Sequence, residues 1–273
     1  MPDPTRSVER IAWRGGRLVA GHRTIPEETA VAFTYNGTSY AVMMATPHDL
    51  EDFAVGFSLT EGVIKSTAEI ERLEIVEESI GIELRMWLTE PHATTFHERR
   101  RYLAGPTGCG LCGIESLGEA MRTPATISDP ASFEPDEIMH ALNGLNGLQE
   151  INEQTWAVHG AAFYQPGKGI VALREDVGRH NALDKLAGAL TRTNCVARGG
   201  IGIVTSRLSV EMVQKAAAMG LSILVAVSAP TALAVRVAEA AGITLIAVAR
   251  SDGFEIFTHA ARIKQDRSVH VLA

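Results

Sequence analysis

The sequence predicts an α/β protein, α+β overall, in which a smaller β-rich region precedes a domain of alternating strands and helices. β-Prone runs fill residues 8–101, whereas apolar strand-like runs alternate with helical runs from residue 170 onward. The length of 273 residues is enough for about two domains. We therefore expect a β-rich region over 1–125, which ends in a cysteine-containing loop, and an α/β domain over 126–273.

The N-terminal region is expected to contain a β-hairpin, a helix and two further strands. Asn36-Gly37 lies between two β-prone runs, and Asn-Gly in this position is a strong hairpin signal. A helix is predicted to begin near Thr46-Pro47 or Asp49. Its buried side is expected to carry three apolar side chains: Phe53, Phe57 and Leu59. Residues 69–88 have the pattern of two more strands.

The C-terminal region has the pattern of a layered α/β domain. A segment rich in Pro, Ser and Asp, 123–136, is interpreted as a connection, and 135–148 as a helix. Apolar strands are predicted at four places: 169–173, 201–205, 223–227 and 244–249. Helices are predicted between them, at 181–190, 210–219 and 233–241. This alternation predicts a largely parallel sheet with helices packed on it.

Composition and charge exclude several classes of function. Hydrophobic residues make up 46% of the chain and charged residues 21%, which is typical of a compact globular protein. The net charge of −7 argues against a general nucleic-acid or membrane-binding surface. No apolar run approaches the roughly 20 residues that span a bilayer, and the start of the chain lacks a hydrophobic signal core. We therefore expect a cytoplasmic protein without nucleic-acid or membrane partners.

Two of the three cysteines lie in a glycine-rich loop, as Cys109-Gly-Leu-Cys112. Three cysteines do not make a disulfide framework, and Cys195 is expected to be a structural thiol. Glycines on both sides of the pair leave the backbone free to let a large substrate approach. The loop is therefore a candidate for a reactive sulfur site, in which one thiolate holds a transferred sulfur as a persulfide.

Other chemistries of a Cys-x-x-Cys pair stay open. A structural zinc site needs two further ligands, which could come only from distant histidines. The pattern of a zinc deaminase fails, since Pro106 precedes Cys109 by three residues and His97 is followed directly by Glu98. A thioredoxin-like pair opens a helix, which the flanking glycines weaken. The pair could also be an incidental part of a tight turn.

Arginines follow three of the predicted strands. Arg179 lies in the run 175–185 after the first strand of the α/β domain, Arg207 follows the second strand, and Arg250 follows the last. Ligands bind open α/β sheets at the carboxyl ends of strands, and arginine binds phosphate bidentately. The three arginines are therefore expected to form one cationic rim for a ligand with several phosphates. Taken alone, the run 175–185 could equally be a capped helix start with a salt-bridged arginine.

These motifs together resemble the FdhD family of formate dehydrogenase accessory sulfurtransferases. The resemblance extends nearly end to end and includes these segments in the same order: 46–47, 56–62, 109–113, 175–185, 206–215 and 228–235. Members of that family accept sulfur from a cysteine desulfurase as a persulfide and pass it to a molybdenum or tungsten bis-guanine-dinucleotide cofactor. The resemblance also implies a cytidine-deaminase-like α/β/α fold, without zinc chemistry, for the C-terminal half.

The resemblance implies specific site residues. Cys109 is the persulfide carrier and Cys112 its helper. The expected cofactor-binding residues are the segment after the last strand and part of the rim: Val248, Ala249, Arg250, Ser251, Asp252, Gly253, Arg179, His180 and Arg207. Asp252 is the candidate for binding guanine, and His159 is a further candidate outside this set.

The resemblance also implies partners. These are a cysteine desulfurase, the catalytic subunit of formate dehydrogenase and a second copy of the chain in a homodimer. The substrate is molybdenum bis(molybdopterin guanine dinucleotide), which a guanine nucleotide can mimic, and no tightly bound protein metal is expected. Two other functions remain in competition: a non-catalytic chaperone that binds the molybdenum cofactor for formate dehydrogenase, and a dithiol oxidoreductase.

Overall fold

The computed structural model describes residues 1–89 and 124–264. Cys109 and Cys112, and with them the predicted persulfide loop, lie outside the described residues. Within the described ranges the strands form three sheets, of two, four and six strands. No helix in these ranges has both the length and the hydrophobicity that crossing a bilayer requires.

The two smaller sheets are built from the N-terminal third of the chain. Strands β1 (Thr5–Arg14) and β2 (Arg17–Pro26) form an antiparallel hairpin, which is the two-stranded sheet. The next four strands are β3 (Thr29–Tyr35), β4 (Thr38–Ala45), β5 (Ile70–Glu78) and β6 (Gly81–Leu88). They form the four-stranded sheet in the order β4-β3-β6-β5, and helix α1 (Leu50–Thr60) packs on one face of it.

The predicted hairpin, helix and strands of this region are confirmed. Asn36 and Gly37 have positive φ angles of 49° and 74°, which the tight turn between β3 and β4 requires. Helix α1 begins directly after Asp49. Its apolar side contacts the core with the three predicted side chains, of which the last is only half buried: Phe53, Phe57 and Leu59.

The six-stranded sheet forms the centre of the C-terminal region. Its strands are β7 (His159–Gln165), β8 (Gly169–Asp176), β9 (Ile201–Val204), β10 (Ile223–Ala226), β11 (Thr244–Arg250) and β12 (Gly253–Ile256). The helices are α2 (Pro135–Asn143), α3 (Glu150–Thr155), α4 (Arg179–Arg192), α5 (Val210–Ala218) and α6 (Ala232–Ala241). One apolar cluster lies between the sheet and α4, α5 and α6, and another lies between its opposite face and α2. The region is therefore an α/β/α layer, as predicted.

The strand order is β12-β11-β10-β9-β7-β8, and the four predicted strands, β8 to β11, run in one direction as expected, whereas β7 and β12 run against them and make the sheet mixed. Only the pairings of β10 with β9 and β11 are parallel; β7 is antiparallel to β8 and β9, and β12 to β11. The connections explain the difference. The links from β7 to β8 and from β11 to β12 are too short for a crossover, so each pair forms a hairpin. Helix α2 also ends before the predicted boundary at residue 148, at Asn143.

Close packing of α1 against α4 joins the N-terminal and C-terminal parts of the chain. A methyl group at Gly56 would lie 1.7 Å from the carbonyl oxygen of Asp184, and one at Gly188 would lie 1.9 Å from that of Asp52. No side chain fits at these distances, so only glycine allows the two helices to approach this closely. The packing fixes the start of α4 relative to α1. The division at residue 125 stays a prediction.

Candidate functional site

The carboxyl ends of four strands lie at one edge of the six-stranded sheet. Since β8 and β9 are both antiparallel to β7, β8 runs in the same direction as β9, β10 and β11. The amino end of β7 lies at this edge too. We call it the carboxyl edge, and the strand-end residues that define it are Asp176, Val204, Ala226, Arg250 and His159. Open α/β sheets bind ligands at such an edge.

The structure brings the three predicted arginines to the carboxyl edge. Arg179 is the first residue of α4, Arg207 lies between β9 and α5, and Arg250 is the last residue of β11. Strand β10 separates β9, which Arg207 follows, from β11, which ends at Arg250, so these two strands are about 10 Å apart. A ligand must therefore extend beyond a single phosphate to contact both ends of this row.

Positive charge is concentrated around His159, at the start of β7. Burial lowers the pKa of His159, and the positive charges of Arg179, Arg207 and His180 lower it further, while Asp176 opposes them. A positive potential that disfavours a protonated imidazole attracts anions. His159 therefore lies in the same positively charged region as Arg179 and Arg207.

The guanidinium group of Arg179 has an unused hydrogen-bond donor. Its Nε is buried, and no residue in the described part of the chain accepts a hydrogen bond from it. A buried donor without an acceptor costs roughly 1–3 kcal/mol, so such atoms are rare in folded proteins. The N–H groups and positive dipole end of α4 begin at the same place. An anion such as phosphate fits both features.

His180 is held by hydrogen bonds from the start of α5. Its Nε2 lies 2.7 Å from Oε2 of Glu211 and 3.4 Å from Oγ of Ser209. The hydrogen bond from His180 lowers the pKa of Glu211, and the nearby Arg179 lowers it further. Glu211 therefore stays ionised and fixes the imidazole ring. Sequence reasoning assigned no role to Ser209 or Glu211, although their place in the first turn after β9 was a usable signal.

The segment Val248–Gly253 forms an irregular end of β11. Val248 has a φ angle of 52°, in the left-handed region that β-branched residues rarely adopt, and the strand register shifts between Ala247 and Arg250. Ala249 is buried in the core, so a contact from it to a ligand comes from its main chain. Three residues of the segment are exposed: Arg250, Ser251 and Asp252. Strained backbone of this kind is typical of ligand sites.

Other polar side chains of the run 175–185 are buried and structural. Lys185 and Asp176 form an ion pair of 2.6 Å, and both side chains are 0% exposed. Asp176 also accepts a hydrogen bond from the main-chain nitrogen of Thr46 at 3.0 Å, and Lys185 donates to the carbonyl oxygen of Thr46 at 2.9 Å. The pair therefore links the end of β4 to the end of β8 and to α4, next to the carboxyl edge.

A second buried network joins α1, α4 and α5. Nζ of Lys215 lies 2.9 Å from Asp184 and 2.7 Å from Glu61, and Thr60 donates a hydrogen bond to Asp184 at 2.5 Å. Burial by itself lowers the pKa of Lys215, but Asp184 and Glu61 outweigh it and raise the pKa above its ordinary value. Lys215 therefore stays charged and supports the fold.

The lowered pKa of His159 predicts a pH-dependent stability. An unfolded histidine binds a proton as the pH falls through about 6.5, whereas folded His159 resists protonation. In that pH range the unfolded state binds more protons, so the free energy of unfolding falls as the pH falls. Urea unfolding of wild type and His159→Gln from neutral to mildly acidic pH measures this, and the variant should lose less stability. Identical pH dependence of the two proteins contradicts the assignment.

Comparison with solved structures shows the fold. The chain is similar to the crystal structure of a protein described as a candidate formate dehydrogenase accessory protein from Desulfotalea psychrophila. The TM-score is 0.74 at 24% sequence identity, and the match covers 96% of this chain and 100% of the other. This likeness supports the three-layer architecture described above.

Sequence comparisons show the family. A model of the FdhD/NarQ family matches residues 26–264. A relative called sulfur carrier protein FdhD, from Agrobacterium fabrum, is 54% identical over 94% of this chain and 96% of its own length. A protein with the same description from Cupriavidus necator is 46% identical over 97% of this chain and 93% of its own length. The chain therefore belongs to the FdhD/NarQ family.

Proposed function

We propose that the chain is a sulfur carrier that serves formate dehydrogenase. It accepts persulfide sulfur from a cysteine desulfurase on Cys109 and transfers it to molybdenum or tungsten bis(molybdopterin guanine dinucleotide), which is its substrate. Its similarity to proteins called sulfur carrier protein FdhD supports the sulfur part of this function. The Cys-x-x-Cys pair in the sequence supplies the thiols that such a carrier needs.

The carboxyl edge supports the cofactor part, and the buried, unused Nε of Arg179 is the observation that carries it. A guanine dinucleotide has a pyrophosphate, whose oxygens accept hydrogen bonds from guanidinium groups. Arg179 and Arg207 lie close enough to His159 to shift its pKa. Arg250 ends β11 and Asp252 lies in the exposed turn that follows, where Asp252 is the candidate acceptor for guanine N–H groups.

Sulfur transfer on the cysteine pair can be written as two balanced steps. In loading, the Cys109 thiolate attacks the terminal sulfur of the donor persulfide, and the donor cysteine leaves as a thiolate. In release, the Cys112 thiolate attacks the inner sulfur of the Cys109 persulfide. This step forms a Cys109–Cys112 disulfide and frees the terminal sulfur as sulfide for the metal. Two equivalents of a cellular thiol then reduce the disulfide by exchange, restore both cysteines and leave as their own disulfide.

The competing function is a non-catalytic chaperone that binds the same cofactor for formate dehydrogenase. Both functions need the carboxyl edge, and only the carrier needs an accessible thiol. In the proposed function the chain is cytoplasmic, works as a homodimer, and contacts a cysteine desulfurase and the catalytic subunit of formate dehydrogenase. It holds no tightly bound metal of its own.

Binding of a guanine nucleotide tests the cofactor part. With GDP as the probe, we expect Arg179→Gln and Arg207→Gln each to weaken binding about ten- to a hundredfold, because each removes charge-assisted hydrogen bonds to phosphate. Isothermal titration calorimetry measures the change. Lys168→Gln is the control, since Lys168 lies in the turn between β7 and β8 at the opposite edge of the sheet. Wild type that does not bind GDP, or arginine variants that bind it normally, contradict the proposed site.

A further inference from the structure

Residues 5–26 form an arm that is built differently from the rest of the chain. Among the described strands, β1 and β2 pair only with each other, around the turn Gly15-Gly16. The base of the arm is attached to α3, where Arg23 donates a hydrogen bond to the carbonyl oxygen of Thr155 at 3.1 Å. Ten residues per strand give the arm a length of about 33 Å. A hairpin of two strands alone is only marginally stable in water.

The half of the arm near its turn exposes apolar side chains. Ile11, Trp13 and Leu18 are 71%, 69% and 72% exposed. Trp13 pairs with Leu18 across the strands, and Ile11 pairs with Ala20, so these side chains form one continuous face. An exposed apolar cluster of this kind is typical of a surface that contacts another protein.

The same half of the arm carries positive charges for which the described residues provide no acidic partner. Arg14 and Arg17 face each other across the strands at the turn, an arrangement in which like charges repel. The described residues provide no hydrogen-bond acceptor for the buried Nη1 of Arg10. Within the described ranges, the one ion pair between an arm arginine and a carboxylate joins Arg6 to Glu27, at 3.9 Å. The end of the arm therefore fits an anionic partner.

The charge balance points to a second copy of the chain as that partner. Residues 5–26 contain five arginines and one glutamate, a net charge of +4, so the rest of the chain, whose total is −7, carries −11. Strand β5 concentrates negative charge, with four glutamates and one arginine in nine residues, and it is an edge strand. Two of these glutamates are paired within the chain, Glu74 with Arg72 and Glu78 with Arg85. Glu71 and Glu77 remain for the arm, and Glu77 already attracts a cation, since its Oε1 lies 2.5 Å from the terminal ammonium group of Met1.

We propose that the arm is a self-association element that docks on β5 of a second copy. In a two-fold dimer each arm contacts the other chain with both faces, since its side chains alternate between them. The face with Arg14 and Arg17 meets Glu71 and Glu77 of β5, and the opposite face, with Trp13 and Leu18, is buried against the same partner. The inference rests on the homodimer within the proposed function and adds the surface that forms it. The family model begins at residue 26 and so leaves the arm out.

Sedimentation velocity over a range of protein concentrations tests the proposal. We expect wild type to be a dimer that weakens with salt. Arg14→Glu with Arg17→Glu should raise the dimer Kd about a hundredfold or more, and Trp13→Ser with Leu18→Ser should also dissociate it. Val196→Ser is the matched control, because Val196 is 68% exposed and lies far from the arm in sequence. This control should stay dimeric.

A charge exchange separates docking from damage to the arm. Adding Glu71→Lys and Glu77→Lys on β5 to the Arg14→Glu, Arg17→Glu chain should restore the dimer, because the charges are then reversed on both sides. Wild type that stays monomeric overturns the homodimer and the arm together. A dimer that the arm variants leave intact overturns the arm alone, and a failed charge exchange overturns docking on β5. GDP binding and sulfur loading are unaffected by these outcomes, so they test the rest of the proposed function separately.

Discussion

Replacing Cys109 with alanine is expected to abolish the loading of sulfur onto the protein. The proposed reaction begins with attack by the Cys109 thiolate, and alanine has no nucleophile. After incubation with a cysteine desulfurase and cysteine, intact-protein mass spectrometry should show the mass of one added sulfur on wild type, removable by reductant, and none on Cys109→Ala. Cys195→Ala is the matched control and should load normally, because Cys195 is half buried and packs against the core.

Cys112→Ala separates the sulfur carrier from its alternatives. A carrier still loads Cys109 and fails to release the sulfur as sulfide, because release needs the second thiolate. A dithiol oxidoreductase loses its function when either cysteine is replaced. Wild type that takes up no sulfur contradicts the carrier and favours the cofactor chaperone. Loading that persists in Cys109→Ala contradicts the role of Cys109.

The elements of the fold and the common direction of β8, β9, β10 and β11 could be predicted from local patterns, but the two reversed strands, β7 and β12, could not. Asn36-Gly37 marks its hairpin because the turn needs two residues with positive φ, and that requirement is local. Continuous apolar runs such as those of β9 and β10 are typical of parallel strands that are buried on both faces, and these two strands do pair in parallel. The reversal at β7 depends on the three-residue link Pro166-Gly167-Lys168, which the prediction did not use.

The arginines of the site could be predicted because each follows a strand, and strand ends of one direction meet at one edge. The buried polar pairs could not. Asp176 and Lys185 stand in the same motif as Arg179, yet they are buried because Thr46, far away in sequence, supplies their main-chain partners. Likewise, the cationic surroundings of His159 come from residues on other elements. Such roles depend on contacts that single-sequence patterns do not contain.

The buried pair of Lys185 and Asp176 predicts the largest loss of stability. Lys185→Met keeps an apolar stem of similar length but leaves the Asp176 carboxylate buried without its cation, which costs about 3–5 kcal/mol. Urea unfolding followed by circular dichroism measures the change. Lys168→Met, in the exposed turn between β7 and β8, is the surface control and should change the free energy of unfolding by less than about 0.5 kcal/mol.

Restoring neutrality separates the charge effect from loss of packing. Adding Asp176→Asn to Lys185→Met removes the unpaired charge, so the double variant should recover part of the lost stability.

The same pair should matter for ligand binding, because Asp176 accepts hydrogen bonds from the main-chain nitrogen of Gly178 at 2.7 Å and from Nδ2 of Asn181 at 2.9 Å. These bonds hold the main chain before Arg179 and a side chain after it. Lys185→Met should therefore weaken GDP binding as well. A variant as stable as the surface control contradicts the expected loss of stability, and unchanged GDP binding contradicts the expected effect on the site.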